Sequence, residues 1–260
     1  MAFRTANFAH LAKFNSAASS DFIDFYENIV DEKITAKNTE PKHKTFAPSS
    51  FRCPRVSWFR LRGVQPDEIT KPDRVMEFSA EIGTACHEII QHNLKEALGE
   101  DWIEVEDYLK DNPDVGNKYT WELEKSGYET KISINNPPIR FACDGILRWK
   151  GQIYLLEIKT SEFSSFDELT NPKDQHVDQI KCYATLLGIK KVLVLYQDRQ
   201  YGGLKCFEMT ISDNDNRYVL DRFQYVMDMV DANLAPEGLP KGDPWCSSNH
   251  CPYYRKCKEW

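Results

Sequence analysis

The sequence predicts an α/β fold in which a mixed central sheet is flanked by helices. Three observations carry that expectation. Short runs rich in β-branched and aromatic residues lie between residues 128 and 211, punctuated by turn residues. Segments with apolar positions at helical spacing stand on both sides of them. Strands followed by helices in this order build a sheet with helices packed on it. With 260 residues, the chain is long enough for one sizeable domain, or one domain with an added lobe.

Taken in order, residues 1–45 read as a peripheral N-terminal segment. It mixes the small residues Ser16 to Ser20 with one helix, Asp21 to about Lys33, which Asp21 can cap. Thr35 to Ser50 is polar and reads as a connector into the main domain, residues 46–260. Ser79 to Leu98 has the pattern of a helix: Ile82, Ala85, Cys86, Ile89, Ile90 and Leu94 share a broad apolar face, and Gly99 stops it. His87 lies in its first half. Trp102 to Ser126 is acidic and fits no template. Tyr128–Ile134, Ile139–Trp149 and Gln152–Thr160 read as strands. Asn135-Asn136-Pro137-Pro138 separates the first two, and Lys150-Gly151 makes a tight hairpin turn between the second and third. Val177–Leu187 is a helix ended by Gly188, Lys191–Tyr196 and Leu204–Ile211 are strands, and Asp213 caps a last helix reaching about Asn233. The sequence has no internal repeat and no Gly-x-x-x-x-Gly-Lys-Ser/Thr loop, so no nucleotide-driven motor is encoded in it.

A hydrophobic fraction of 41% and a charged fraction of 28% are those of an ordinary soluble protein. No run approaches the length of a membrane span, and Met1 to Phe8 lacks the apolar stretch of a secretory signal. Cytoplasm is the expected compartment (the host cell's, if the chain is phage-encoded). There the eight cysteines read as metal ligands or core residues rather than disulfides. A net charge of −7 argues against a nucleic-acid binder that works through overall charge. The local distribution differs. Phe51 to Gln65 holds Arg52, Arg55, Arg60 and Arg62 and no acid, and Arg255, Lys256 and Lys258 cluster with Tyr253, Tyr254 and Trp260. A basic, aromatic patch can grip phosphates and stack bases, although a solvated surface has the same composition.

The polar residues with the most chemistry are His87, Asp144, Glu157, Lys159, Gln179 and Tyr183. Glu157 and Lys159 close an otherwise apolar strand and, being two apart, point the same way. Two buried charges need a partner. The hairpin turn brings Asp144 beside Glu157 across the pair of strands, and two carboxylates with a lysine make an oxygen site for magnesium or manganese. Read singly, Glu-x-Lys is an ordinary surface ion pair and a helical histidine an ordinary core residue; the joint pattern is what points to a site.

Gly83-Thr84-Ala85-Cys86-His87-Glu88, Asp144-Gly145, Glu157-Ile158-Lys159-Thr160 and Gln179-Ile180-Lys181-Cys182-Tyr183 together resemble the ordered motifs of the RecB-like branch of the PD-(D/E)xK nuclease superfamily. The resemblance covers residue 49 to the C-terminus and implies a restriction-endonuclease-like mixed sheet. It implies that His87, Asp144, Glu157 and the backbone carbonyl of Ile158 bind Mg²⁺ or Mn²⁺, and that Lys159 assists hydrolysis of a DNA phosphodiester. It further implies that Gln179 and Tyr183, four apart on one helix face, support the lysine and the DNA. The chain departs from the superfamily pattern at Cys143, where proline is usual, and at Phe141, where glycine is common.

Cys53, Cys246, Cys251 and Cys257 form a second constellation. Four thiolates can hold an iron–sulfur cluster or tetrahedral zinc, and their spacing alone leaves both open. One cysteine before the motifs and three after them is similar to the iron–sulfur branch of these nucleases, which includes CRISPR-associated exonucleases and the AddB nuclease domain. That resemblance implies a 4Fe–4S cluster joining the N- and C-terminal segments of the domain. Four residues separate Cys246 from Cys251, where two are common. Cys86, Cys143, Cys182 and Cys206 are expected to be packed thiols.

The expectation is therefore a metal-dependent deoxyribonuclease, a single-strand DNA exonuclease of repair, recombination, CRISPR adaptation or phage DNA processing. Arg52, Arg55, Arg60, Arg255 and Lys256 are the expected DNA contacts. Two alternatives stay open: a silent DNA-binding adaptor for a helicase or CRISPR integration complex, and a zinc-stabilised endonuclease of the same fold.

Overall fold

Lys150 and Gly151 both take positive φ, 50° and 78°, the backbone of a two-residue turn whose twist matches its flanking strands. This turn joins β5 (Gly145–Trp149) to β6 (Gln152–Ser161) and sets the register of the central sheet, from Trp149 opposite Gln152 to Gly145 opposite Leu156. The computed structural model describes residues 17–39, 43–67, 73–240, 242–248 and 250–259. The N-terminal residues 1–8 and Trp260, both used above, lie outside them.

The central sheet has five strands in the order β1 (Trp102–Ile103), β5, β6, β7 (Lys191–Asp198), β8 (Leu204–Thr210). β6 and β7 are parallel and the other pairs antiparallel, so the sheet is mixed as expected. Side-chain alternation along β6 divides the core. Leu156 and Ile158 pack with Ile90 of α3 (Arg74–Leu98), together with Trp102 and Leu147. Leu155 packs on the other face with Ile180 and Tyr183 of α7 (Asp174–Leu187) and Val219 and Phe223 of α8 (Asp213–Asp231). Helices thus flank both faces. A second, antiparallel sheet of three strands, β2 (Trp121–Ser126), β3 (Glu129–Asn135) and β4 (Pro138–Cys143), buries Ile132, Ile134, Ile139 and Phe141. The remaining helices are α1 (Ala17–Thr39), α2 (Pro54–Leu61), α4 (Val105–Asp111), α5 (Pro113–Gly116), α6 (Phe163–Asp167) and α9 (Tyr254–Cys257).

The chain divides into two compact units, Met1–Pro41 with Glu68–Ala80, and Lys42–Asp67 with Glu81–Trp260. In the smaller, Arg74 pairs with Glu27 and Asp31, and Lys37 pairs with Glu77. The sheets and the candidate site belong to the larger. Among the described residues no helix is long and apolar enough to cross a membrane.

Several expectations are corrected. Ile139–Trp149 is not one strand: the ladder breaks at Asp144, so β4 and β5 belong to different sheets. The last helix is capped by Ser212, not Asp213; Ser212 and Asp215 exchange the two hydrogen bonds of a capping box. Ile89 lies outside the apolar face of α3 and is 61% exposed, and Cys206 is exposed rather than packed. The acidic segment before residue 126 contains β2, whose largely exposed side chains hid its period from pattern reading.

Candidate active site

Asp144 sits at the break between the two sheets. Thr130 of β3 is opposite Cys143, and Gly145 is opposite Leu156. Continued by one residue, these registers place Glu129 on one side of Asp144 and Glu157 on the other. Gly145 keeps the break open to the edge strand: a Cβ there would stand 2.6 Å from the ring of Trp102. The Ile158 N–H donates to Asp144 Oδ2 at 2.6 Å, fixing the carboxylate. In an extended strand a residue's N–H and C=O leave on the same side, so the Ile158 carbonyl faces Asp144 as well. Gln91, one helical turn beyond His87 and fully buried, donates to the Asp144 carbonyl at 2.8 Å. His87 Nδ1 lies 3.4 Å from Asp144 Oδ1 and 3.8 Å from Glu129 Oε1.

Lys159 Nζ is 2.5 Å from Glu157 Oε1, so the two do share a face. Asp144 is only 5% exposed and Glu157 2%. Burial, only partly offset by Lys159 and aggravated by Asp144, pushes the Glu157 carboxyl up to about 7. Burial and the Asp144 charge also raise Glu129. Burial disfavours the charged forms of His87 and Lys159, but Asp144 outweighs it for the imidazole and Glu157 for the amine, and both end above their ordinary values. Three carboxyl groups crowd together here, and burial with mutual repulsion raises Glu157 and Glu129, a repulsion that a bound cation would relieve.

Among the described residues, the one group of three donors gathered tightly enough for a cation is His87, Glu129 and Asp144, their ligand atoms all within 4.8 Å of one another. The geometry can therefore hold a divalent metal, and the oxygen-rich set suits a hard one. Its composition differs from the sequence reading. Glu129 enters the group, while Glu157 lies beside it, engaged with Lys159. Glu129 carried no motif; only the register of β3 against β4 could have pointed to it.

Gln179 hydrogen-bonds to the buried Tyr183 hydroxyl, and Phe141 stacks on Tyr183 with ring centroids 4.9 Å apart. Lys159, Gln175, His176 and Gln179 line a cleft of about 850 Å³ that also reaches Cys53, Cys246, Cys251 and Cys257.

The fold brings the four cysteines around this one cavity. Burial, then the closeness of Cys53, Cys257 and Cys246, pushes the Cys251 thiol up to about 11. Yet no three of the four sulfurs lie within 4.8 Å of one another. Protein contacts hold the corner. Asp67 accepts the N–H groups of Arg255 and Lys256 at 2.6 and 3.3 Å, its own N–H donates to Pro252, and Phe59 stacks on Tyr253 at 5.1 Å. Four of the five expected DNA-contacting side chains are engaged locally. Arg52 pairs with Asp243, Arg55 donates to the Pro236 carbonyl and to Cys257 Sγ, Arg60 donates to Thr45, and Lys256 to Gln65 and Pro66. Arg255 is placed by its backbone, on Asp67.

No family model matches the chain, and no curated protein matches it in sequence. Solved structures similar to it include SSO0001 (16% identity, 88% of this chain and 93% of that one, TM-score 0.48). They also include an alkaline exonuclease, LHK-Exo, from Laribacter hongkongensis (14% identity, 76% and 93% covered, TM-score 0.39). The same enzyme in complex with dAMP is similar at 15% identity, 74% and 90% covered, TM-score 0.38. With TM-scores below 0.5, what the site can do rests on its own geometry.

Proposed function

We propose that the protein is a metal-dependent deoxyribonuclease that hydrolyses phosphodiester bonds, acting from the ends of single strands. The observation that carries this reading is the gathering of His87, Glu129 and Asp144 within 4.8 Å, beside a buried Glu157–Lys159 pair. When bound, Mg²⁺ or Mn²⁺ would acidify water and offset the charge of the phosphoryl group. The imidazole and the oxygen donors of Glu129, Asp144 and the Ile158 carbonyl would hold the ion, with Glu157 completing or flanking the set. Asp144 has one oxygen committed to the Ile158 N–H, which leaves the other for the ion. Lys159 is held by Glu157 and lines the cleft, where its ammonium can orient the attacking water and neutralise charge developing on the phosphate. Gln179 and Tyr183 brace the wall behind it.

For the four cysteines we propose a 4Fe–4S cluster. Tetrahedral zinc with Zn–S bonds of about 2.3 Å needs sulfurs roughly 3.8 Å apart. An iron–sulfur core interposes its own atoms between the thiolates, so it tolerates ligands further apart, and the four cysteines line one cavity. Arg55 beside Cys257 would offset the charge of such a group. Arg255 would be the basic residue of the corner that meets DNA.

Cleavage of end-labelled single and double strands with Mg²⁺ or Mn²⁺ tests the reading; shortening of single strands from their ends is expected, and no hydrolysis with either ion refutes it. A visible absorption spectrum of anaerobically purified protein tests the cluster; a colourless protein that binds stoichiometric zinc would replace it.

A further inference from the structure

His176, in the first turn of α7, takes no part in the reading above, yet it lines the cleft next to Lys159 and Gln179. Its ring state follows from its partners. Tyr196 is fully buried on β7, and its hydroxyl accepts the Lys173 N–H at 3.1 Å and meets His176 Nδ1 at 2.6 Å. A phenol has one proton. The hydroxyl oxygen accepts from Lys173 and can give this proton to Nδ1, which is then the acceptor. Burial, with Lys159 and Lys173 nearby, takes the imidazole down to about 3, so the ring is neutral, and with Nδ1 accepting from Tyr196 its proton is on Nε2. Nε2 stands 3.2 Å from the Gln175 amide nitrogen. With the proton on Nε2, Gln175 turns its oxygen there or an acceptor arrives from the cleft; with the proton on Nδ1, Nε2 would instead accept the Gln175 N–H.

We propose that His176 is a substrate-binding residue, its Nε2–H donating to a non-bridging phosphate oxygen of the strand seated beside Lys159. This rests on the nuclease reading and adds a contact to it. A neutral donor suits the position. A second cation so near Lys159 would be repelled, whereas an imidazole locked by Tyr196 offers a hydrogen bond without charge. The start of α7 adds the positive end of a helix dipole to the same place.

Three full-length proteins decide it: wild type, His176→Phe and His176→Gln, the last of which can donate from its amide nitrogen near the same point. Affinity for a labelled oligothymidylate is measured with Ca²⁺, and single-turnover cleavage with Mn²⁺. His176→Phe should weaken binding about tenfold or more, the worth of one hydrogen bond to a charged group, and His176→Gln should recover most of it. Wild-type affinity and rate in His176→Phe would overturn the proposal while leaving the nuclease reading intact. A wild type that neither binds nor cleaves would overturn both. Should His176→Phe fail to fold, nitrogen-15 spectra of the wild-type ring decide. A neutral Nε2–H ring whose signal moves on adding the oligonucleotide supports the contact; a Nδ1–H or charged ring, or an unmoved signal, overturns it.

Discussion

At the end of β6 the candidate ligands are held by regular backbone; at the cysteine corner they sit on loops and a single-turn helix. Asp144 and Glu157 are placed by strand register, Lys159 by alternation along the same strand, and His87 by a 25-residue helix whose Gln91 clasps the Asp144 carbonyl. Cys53 instead precedes α2, and Cys246, Cys251 and Cys257 follow one another through turns held by Asp67 and by ring stacking. Sites on regular elements can be preorganised within a fraction of an ångström, whereas a loop-borne site is completed by what it binds. The strand-end site should therefore lose chemistry and keep its fold when altered, and the corner the reverse.

The largest effect is expected at the amine. Lys159→Ala should cut single-turnover cleavage by about a thousandfold with an unchanged circular dichroism spectrum, as loss of a transition-state charge partner does. Near-normal turnover would mean that the lysine is structural.

Next comes the identity of the ligands. Glu129→Gln should weaken Mn²⁺ binding, read by isothermal titration calorimetry, by at least about tenfold, a loss that even groups around the first ligands can cause. If Glu157→Gln shows that loss and Glu129→Gln does not, the ion sits between the two strands of the hairpin instead.

The corner should respond in stability. Asp67→Ala removes the acceptor of two backbone N–H groups and should cost about 1 kcal/mol in denaturant unfolding, the size of a lost helix cap. Cys53→Ser should abolish any visible absorption and lower the melting temperature further than Asp67→Ala. A corner indifferent to both would owe nothing to either the clamp or a cluster.

The pH-dependent effect belongs to the cleft that joins the two regions. His176 takes up its proton near pH 3 in the folded chain and near 6.5 when unfolded, so the unfolded state binds more protons across that window. Stability should rise with pH from about 3 to 6.5, and His176→Gln should flatten that rise in urea melts taken at several pH values.

Much of this was legible in the sequence because short-range rules governed it. Lys150-Gly151 could be read as a turn from two residues, and with it the placing of Asp144 beside Glu157. The shared face of Glu157 and Lys159 follows from a period of two, and Gly188 ends α7 in the left-handed conformation that glycine accepts. The break at Asp144 was not read from the sequence: Asp144-Gly145 interrupts the run Ile139–Trp149, but only the choice of two different partner strands divides it there. Local interactions thus determined the elements, the hairpin and the identity of most of the polar residues that matter. Tertiary structure alone decided that β3 starts beside Asp144 and brings Glu129 to the site, that Tyr196 meets the ring of His176, and that Arg52, Arg55, Arg60 and Lys256 are committed to nearby carbonyls and to Asp243. Those outcomes depend on pairings between segments far apart in the chain, and no period or spacing within a single segment encodes them.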